Sequence, residues 1–281
     1  IYIMSLQLHY TGQDYVNRGL AGGTLTPGST SAIVGGCKTG KGFAFDGTEN
    51  SRLTSILKES DKHSVSFWVK FAANPSSAQV VAVHGNGGFR QFYFFIRTTN
   101  HFVISRDRAN GTLQAIPLTS ANLLTPDTWH HITYTYENLK GTLFINGVYA
   151  THLDYDSVRS GSDESFQIGA WTSGFPLNGQ ICNFKYYDHV LSTKEIREDY
   201  KSLILHYPLN KAITDTVLDV SGFQRHITNL TSNTVTLDSK AQVYSASLKN
   251  DGTQALMGDC DLTDLNGIPE ISITFRVYKQ S

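Results

Sequence analysis

The chain has 281 residues, enough for a buried core and for one or two domains. Charged residues make up 17% and the formal net charge is −1, which excludes the strong basic field of a nucleic-acid or anionic-membrane binder. Aromatic residues reach 11%, led by 15 Phe and 14 Tyr, a palette that suits strands. No apolar run approaches the roughly 20 residues that span a bilayer, so membrane insertion is not expected.

The opening "IYIM" is too short for an apolar targeting segment, and no small-residue cleavage site follows a charged start. Leu6, Leu8 and Tyr10 alternate with Gln7 and His9, the period of a strand with one face buried. Residues 33–42, "IVGGCKTGKG", set Gly35, Gly40 and Lys41 at the spacing of a phosphate-binding loop. That loop needs a terminal Ser or Thr for the metal and a helix whose N-terminus faces the anion. Here the terminal position is Gly42, and "FAFDGT" follows with strand alternation and an Asp46-Gly47 turn. The stretch reads as a Gly-rich connection into a strand.

Alternation continues. "HSVSFWVKF" directs Val65, Phe67, Val69 and Phe71 inward, and "QFYFFIR" is apolar on both faces, as in a central strand. "WHHITYTY" alternates again. "GTLFINGVYA" forms two short strands about Asn146-Gly147, a strong hairpin signal. "ESFQIGA" and "GQICNFKYYD" complete the series. Many short strands with regular turns predict an all-β, antiparallel sandwich.

"LSTKEIREDYKSL" breaks the period. Ser192 followed three residues on by Glu195 is a capping box, and Ile196 and Tyr200 form an i,i+4 pair, so a short helix is expected against the end of the sandwich. Cys37, Cys182 and Cys260 are widely spaced and odd in number, which gives neither a disulfide framework nor a zinc site; buried or incidental thiols are expected. Asn110-Gly-Thr112 and Asn229-Leu-Thr231 fit the glycosylation sequon, which matters only in a eukaryotic secretory pathway.

The chain then echoes itself. "LQLHYTG" at residue 6 returns as "LILHYPLN" at 203, "FAFDGT" as "SLKNDGT", and "SVSFWVKF" as "EISITFRVY". The second copy ends at Ser281, about where the first has reached Phe71. Half a sandwich would expose an unpaired edge, so either the chain is a fragment or a partner completes the unit; the fragment is favoured.

"TWHHITYTYENLKGTLFINGVY" and "FQIGAWTSGFPLNGQICNFKYYDHVLSTKEIREDY", with the opening "LHY…GKGFAFDGT…SVSFWVKF", resemble the ordered motifs of laminin-G-like jelly rolls in the concanavalin A-like superfamily. The likeness covers residues 5–201, and only the first third of a second unit lies in 203–281. It implies a jelly-roll sandwich with one short helix at its end. The opening "MSLQLHY", "NRGLAGGTLTPG", "GKGFAFDG" is similar to jelly-roll proteins of bacteriophage virions and tails. That resemblance implies a virion location with other virion proteins or copies of itself as partners, and contact with host-surface glycans. The alternative is a secreted or cell-surface bacterial carbohydrate-binding or adhesion domain.

Some members of that superfamily are glycosidases, which need two carboxylates about 5 to 10 Å apart. The Glu-x-Asp-x-(x)-Glu strand of the related β-glucanases is missing: Asp163 and Glu164 are adjacent, and the acids of "REDY" fall on the predicted helix. No catalytic residue is assigned. His130 and His131 face opposite ways on a strand and cannot serve one site; the resemblance makes one of them a packing or hydrogen-bonding residue near Trp129. His9 and His206 recur at the same repeat position, which also reads as scaffold. Asp46 and Asp188 are the candidates for calcium, but no dense Asp/Asn loop appears, and neither metal nor cofactor is expected. For carbohydrate binding, Trp171 in "GAWTSGF" is the leading candidate, an indole able to stack on a sugar or to plug the core edge. Asn86, Arg90, Arg106, Asp107 and Arg108 supply hydrogen-bonding groups in predicted turns, where solvated charges are the plainer reading.

Overall fold

The computed structural model describes residues 6–20, 23–37, 40–58, 60–72, 76–85, 90–158, 165–171, 174–201, 236–238 and 247–249. In chain order the strands are β1 (Leu6–Tyr10), β2 (Thr26–Pro27), β3 (Ala32–Cys37), β4 (Gly40–Asp46), β5 (Leu53–Ile56) and β6 (His63–Phe71). There follow β7 (Gln79–His84), β8 (Phe92–Ile96), β9 (Phe102–Asp107), β10 (Leu113–Ala115), β11 (His130–Glu137) and β12 (Lys140–Ile145). The series closes with β13 (Val148–Asp154), β14 (Ser165–Ile168), β15 (Asn178–Tyr187), the helix α1 (Thr193–Lys201), β16 (Thr236–Asp238) and β17 (Ser247–Lys249).

Two antiparallel sheets form the sandwich. One runs β13-β12-β11-β6-β15-β4-β3, with β1 also paired to β15; the other runs β10-β9-β8-β7-β14-β5-β2. Their inner faces meet in an aromatic core. Phe67 of β6 stacks on Phe184 of β15 at 5.3 Å and approaches Phe94 of β8 at 5.9 Å, while Phe94 meets Tyr134 of β11 edge-on. Val65, Phe67, Val69 and Phe71 are all fully buried in that core, as their alternation predicts.

Bulges adjust the alternation where the sequence misleads. Leu6 does not share a face with Leu8 and Tyr10: a register shift lies between Leu6 and Leu8, so Leu6 pairs with Tyr187 and packs on its outer-face cluster, while Leu8 enters the core. In β15 a second shift falls between Cys182 and Lys185, with Asn183 at φ 52°. The extra residue resets the phase, so Ile181, Phe184 and Tyr186 all face the core. The Asn183 amide oxygen lies 2.7 Å from His9 Nε2, so the bulge and β1 hold each other.

The Asn146-Gly147 turn has φ of 53° and 74°, the conformation of a two-residue hairpin, and joins β12 to β13 as expected. The capping box of α1 is present: the Ser192 hydroxyl and amide reach Glu195 Oε2, and the Glu195 amide donates back to Ser192 Oγ. The helix lies on the outer face of the larger sheet rather than at its end. Ile196 packs with Tyr187 and Leu191, and Tyr200 stacks on Trp68.

Residues 40–46 form strand β4, with no helix after the Gly-rich run, which removes the anion-binding geometry of a phosphate loop. The glycines serve a different purpose. Cys37 on β3 and Cys182 on β15 flank β4 and are joined as a disulfide, Cα–Cα 6.5 Å, in place of the separate thiols expected. A Cβ at Gly42, on the strand between them, would sit 3.1 and 3.2 Å from the two cysteine Cβ atoms. The bridge crosses β4 because residue 42 has no side chain. Sequence spacing hides such a pair, since 145 residues separate the two cysteines.

Of the second copy expected over 203–281, only β16 and β17, an antiparallel pair, fall among the described residues; the rest lies outside them.

Candidate functional site

The outer face of the smaller sheet carries the leading candidate. Alternation in β8 sends Phe92 and Phe94 to the core and Tyr93 and Phe95 outward. Tyr93 joins Val80 and Val83 of β7, and Trp171 packs on the three of them. The chain reaches that position through Gly169, φ 87°, where a Cβ would collide with the Phe45 ring. A reciprocal bridge to Gly174 then holds the Trp171 backbone.

Arg90 and Asp107 brace this surface. The Arg90 guanidinium carbon lies 5.2 Å from the Trp171 ring centre and 5.6 Å from that of Tyr93. Its Nε and Nη2 donate to Asp107 at 3.2 and 3.1 Å, and its amide donates to the same carboxylate at 2.7 Å. The Asp107 side chain is 0% exposed and that of Arg90 13%, so the pair is fixed and largely withdrawn from water. Burial pushes the Tyr93 phenol above its ordinary pKa, with the Arg90 charge working the other way.

Trp171, Arg90 and Asp107 therefore come together, and the other candidates separate from them. Arg106 and Asp107 lie on strand β9 rather than in a turn, so they face opposite ways. Arg106 points inward, 4.1 Å over the Tyr136 ring and 2.7 Å from Gln91 Oε1. Arg108, just past β9, meets Asp156 at 3.4 Å and the Gln114 amide oxygen at 3.3 Å. Asn86 lies outside the described residues.

Sequence reading missed Tyr93, Ser105 and Gln167. Their signal is present: a strand apolar on both faces, in a sheet with only one face toward the core, must show aromatics on the other. Ser105 pairs with Tyr93 across β8 and β9, and Gln167 pairs with Val83 across β14 and β7, so all four share the outer face. Ser105 Oγ, Gln167 Oε1 and Trp171 Nε1 are shielded and have no hydrogen-bond partner.

A second polar cluster lies under α1. Asp199 accepts from the Ser66 hydroxyl at 2.5 Å, pairs with Lys185 through its other oxygen, and stands 3.4 Å from His131 Nε2. Burial opposes the Asp199 charge, but Lys185 and His131 outweigh it and hold its pKa well below the carboxylate range. Ser66 donates to the carboxylate itself, so this is a docking network for the helix rather than an activated nucleophile. His130 faces the other way, its Nε2 3.0 Å from the Thr125 carbonyl. Asp46 caps its own turn through Thr48, and no metal-holding group of His, Cys, Asp and Glu occurs among the described residues.

Compared with known proteins, residues 45–197 match the model of Laminin_G_3, described as Concanavalin A-like lectin/glucanases superfamily. No curated protein matches the chain. Among solved structures, domain 4 of AbnA, a GH43 extracellular arabinanase from Geobacillus stearothermophilus solved with arabinotriose, aligns at TM-score 0.56 and 18% identity, over 69% of this chain and 98% of that one. The binding domain of Paraclostridial Mosquitocidal Protein 1 aligns at 0.57 and 16%, over 93% of this chain and 76% of that one. A structure of botulinum neurotoxin type C, whose cell entry depends on two ganglioside molecules, aligns at 0.55 and 13%; there the chain covers 54% of the neurotoxin chain and 76% of its own length. The chain likewise spans 54% of the solved binding domain of neurotoxin serotype D. At these identities the likeness is one of fold.

Proposed function

The chain belongs to the Laminin_G_3 family of the concanavalin A-like lectin/glucanases superfamily, and from that premise we propose that it is a non-catalytic module that binds glycans and is displayed on a surface. The observation that carries this reading is the aromatic pair Trp171–Tyr93 on an outer sheet face, braced by Arg90 and Asp107. Aromatic rings on a rigid sheet give a sugar ring an apolar surface, and flanking polar groups give its hydroxyls partners. The arabinanase domain solved with arabinotriose and the ganglioside-dependent neurotoxin support a saccharide as ligand.

The non-catalytic reading rests on where the acids are. Asp107 is held by Arg90, Asp199 is buried under α1, and Glu195 belongs to the helix cap. None is one of a pair of free carboxylates flanking a groove. For the setting we propose the surface or tail of a bacteriophage particle, on the likeness of the opening residues, with other virion chains or further copies as partners. Many copies would turn weak single contacts into stable attachment. A secreted or cell-surface adhesion domain is the second reading, and the Cys37–Cys182 disulfide suits that setting and a virion surface alike, because disulfides persist in both.

A glycan array with the wild-type chain and Trp171→Ala tests the module. Binding by the wild type and loss of at least about tenfold in the variant are expected, on the order of 1.4 kcal/mol. Unchanged binding in the variant would remove Trp171 from the site. Release of reducing sugar from a bound polysaccharide would overturn the non-catalytic reading.

A further inference from the structure

The glycan-binding reading leaves open which ring gives a sugar most of its support, because Tyr93 is only 8% exposed and Trp171 packs on it. We propose that Phe175 is that ring: a saccharide contact presented on a strained backbone, with Trp171 and Arg90 as the base that holds its loop. This rests on the reading that the chain binds glycans at all.

Phe175 has φ 60°, in the left-handed region that residues with a Cβ avoid because it crowds the following carbonyl. Pro176 comes next, and its ring pushes the residue before it toward extended backbone, so the conformation is disfavoured twice. The other non-glycine residues at positive φ among those described have local reasons for it. Asn100, Asp127, Asn138, Asn146 and Asn183 carry short polar side chains that tolerate the region. Leu139 shares with Asn138 the two-residue turn from β11 to β12, which needs positive φ at both positions. Phe175 lies one residue past the Trp171–Gly174 bridge, where a glycine or an asparagine would suit the backbone better.

The surroundings hold the residue in place. The Gly169 amide donates to the Val81 carbonyl at 2.9 Å, and the Leu177 amide to the Gly169 carbonyl at 2.7 Å. Trp171 and Gly174 exchange amide bonds in both directions, and the Val80 amide donates to the Phe175 carbonyl at 2.8 Å, fastening the loop to β7. Below it, Trp171 packs on Val80, Val83 and Tyr93, with the Arg90 guanidinium carbon 5.2 Å from its ring centre. Strain of this kind persists only where the structure around it over-determines the geometry, and it collects at ligand contacts. A phenyl ring kept for packing would be buried, yet Phe175 is 43% exposed.

Polar groups stand beside it. A Cβ on Gly174, whose φ is 123°, would sit 3.7 Å from Glu49 Oε1, so that exposed carboxylate lies against the same loop. Asn178, also exposed, follows three residues after Phe175. The ring supports the C–H face of a sugar, the carboxylate accepts from its hydroxyls, and the amide both accepts and donates.

The test is binding and thermal unfolding of the full chain with substitutions at position 175. The probes are arabinotriose, a ganglioside oligosaccharide and the strongest ligand found on a glycan array. Phe175→Tyr should bind as the wild type does, while Phe175→Ala, Phe175→Gly and Phe175→Asn should each weaken binding about tenfold. Phe175→Gly should melt about 2 to 4 °C above Phe175→Ala, the reverse of the usual order, because glycine relieves the positive φ. Asparagine also accepts that φ, so lost binding in a folded Phe175→Asn separates ligand contact from support of the loop, even if the alanine variant does not fold. Wild-type affinity in Phe175→Asn, or a glycine variant no more stable than the alanine one, would overturn the proposal and leave the glycan-binding reading standing. No binding of the wild type to any glycan would remove both.

Discussion

At the scale of single residues, the same side chain types take unlike roles according to which face of a strand they occupy. Arg90 and Arg106 show it: one braces two aromatic rings outside the sheet, the other lies over Tyr136 inside the sandwich. Asp107 is the counter-charge for Arg90, so Asp107→Ala should lose about 3 kcal/mol of unfolding free energy in urea, because it strands a largely buried guanidinium. The fluorescence of Trp171 should change in the same variant, since Arg90 no longer holds its place over the indole. His63 gives a pH prediction. Burial among Phe92, Tyr134, Tyr136 and Tyr186, with the Arg106 charge as a smaller cause, lowers its pKa to about 3. Between its ordinary value of 6.5 and about 3 the unfolded chain therefore holds the proton and the folded chain does not. The contribution of His63 is present in full above pH 6.5 and falls as the pH drops through that window. His9, lowered to about 4 chiefly by burial, acts in the same direction. Denaturant midpoints measured from pH 7 to 4 should fall for the wild type and fall less for His63→Phe.

At the scale of elements, α1 and the disulfide each tie parts that the sheet ladders leave apart. The helix is nine residues, too short to persist alone, and its stability comes from the face beneath it. Ser192→Ala should cost about 1 kcal/mol by removing the cap. Asp199→Ala should cost about 3 kcal/mol, because Lys185 loses its ion-pair partner under the helix. If the two variants cost the same, the buried network contributes no more than a surface cap. The Cys37–Cys182 bridge links β3 to β15 over Gly42. Cys182→Ser should lower stability by about 2 to 4 kcal/mol, and reductant should do the same to the wild type but not to the variant. Free thiols at both positions in protein isolated without reductant would count against the bridge and against an oxidising setting.

At the scale of the whole molecule, the sandwich is a frame whose larger sheet carries the helix on its outer face and whose smaller sheet carries the cluster of Tyr93 and Trp171. No helix among the described residues is long and apolar enough to cross a membrane. We propose residues 5–201 as one folding unit and 203–281 as the start of another. A chain cut after Lys201 should then unfold in a single cooperative transition with the midpoint of the first transition of the full chain. A midpoint lowered by many degrees would mean that the two stretches stabilise each other.

Sequence alone determined the fold class, the inward faces of most strands, the Asn146-Gly147 turn and the cap of α1. Each rests on a local rule: a period of two, a turn needing positive φ, a Ser three residues before a Glu. Trp171 stood out in the sequence as a candidate, an aromatic among small residues past a strand end. Only the tertiary structure decided which charges stand beside it. Whether Arg90, Arg106 or Arg108 reaches the indole depends on strand phase and on pairing between β8, β9 and the segment after β14, and no local pattern encodes that. The Cys37–Cys182 pair and the seat of α1 on a sheet face are of the same kind. Each joins residues distant in the chain through register, and two single-residue bulges were enough to reset the phase from which a reader would have counted.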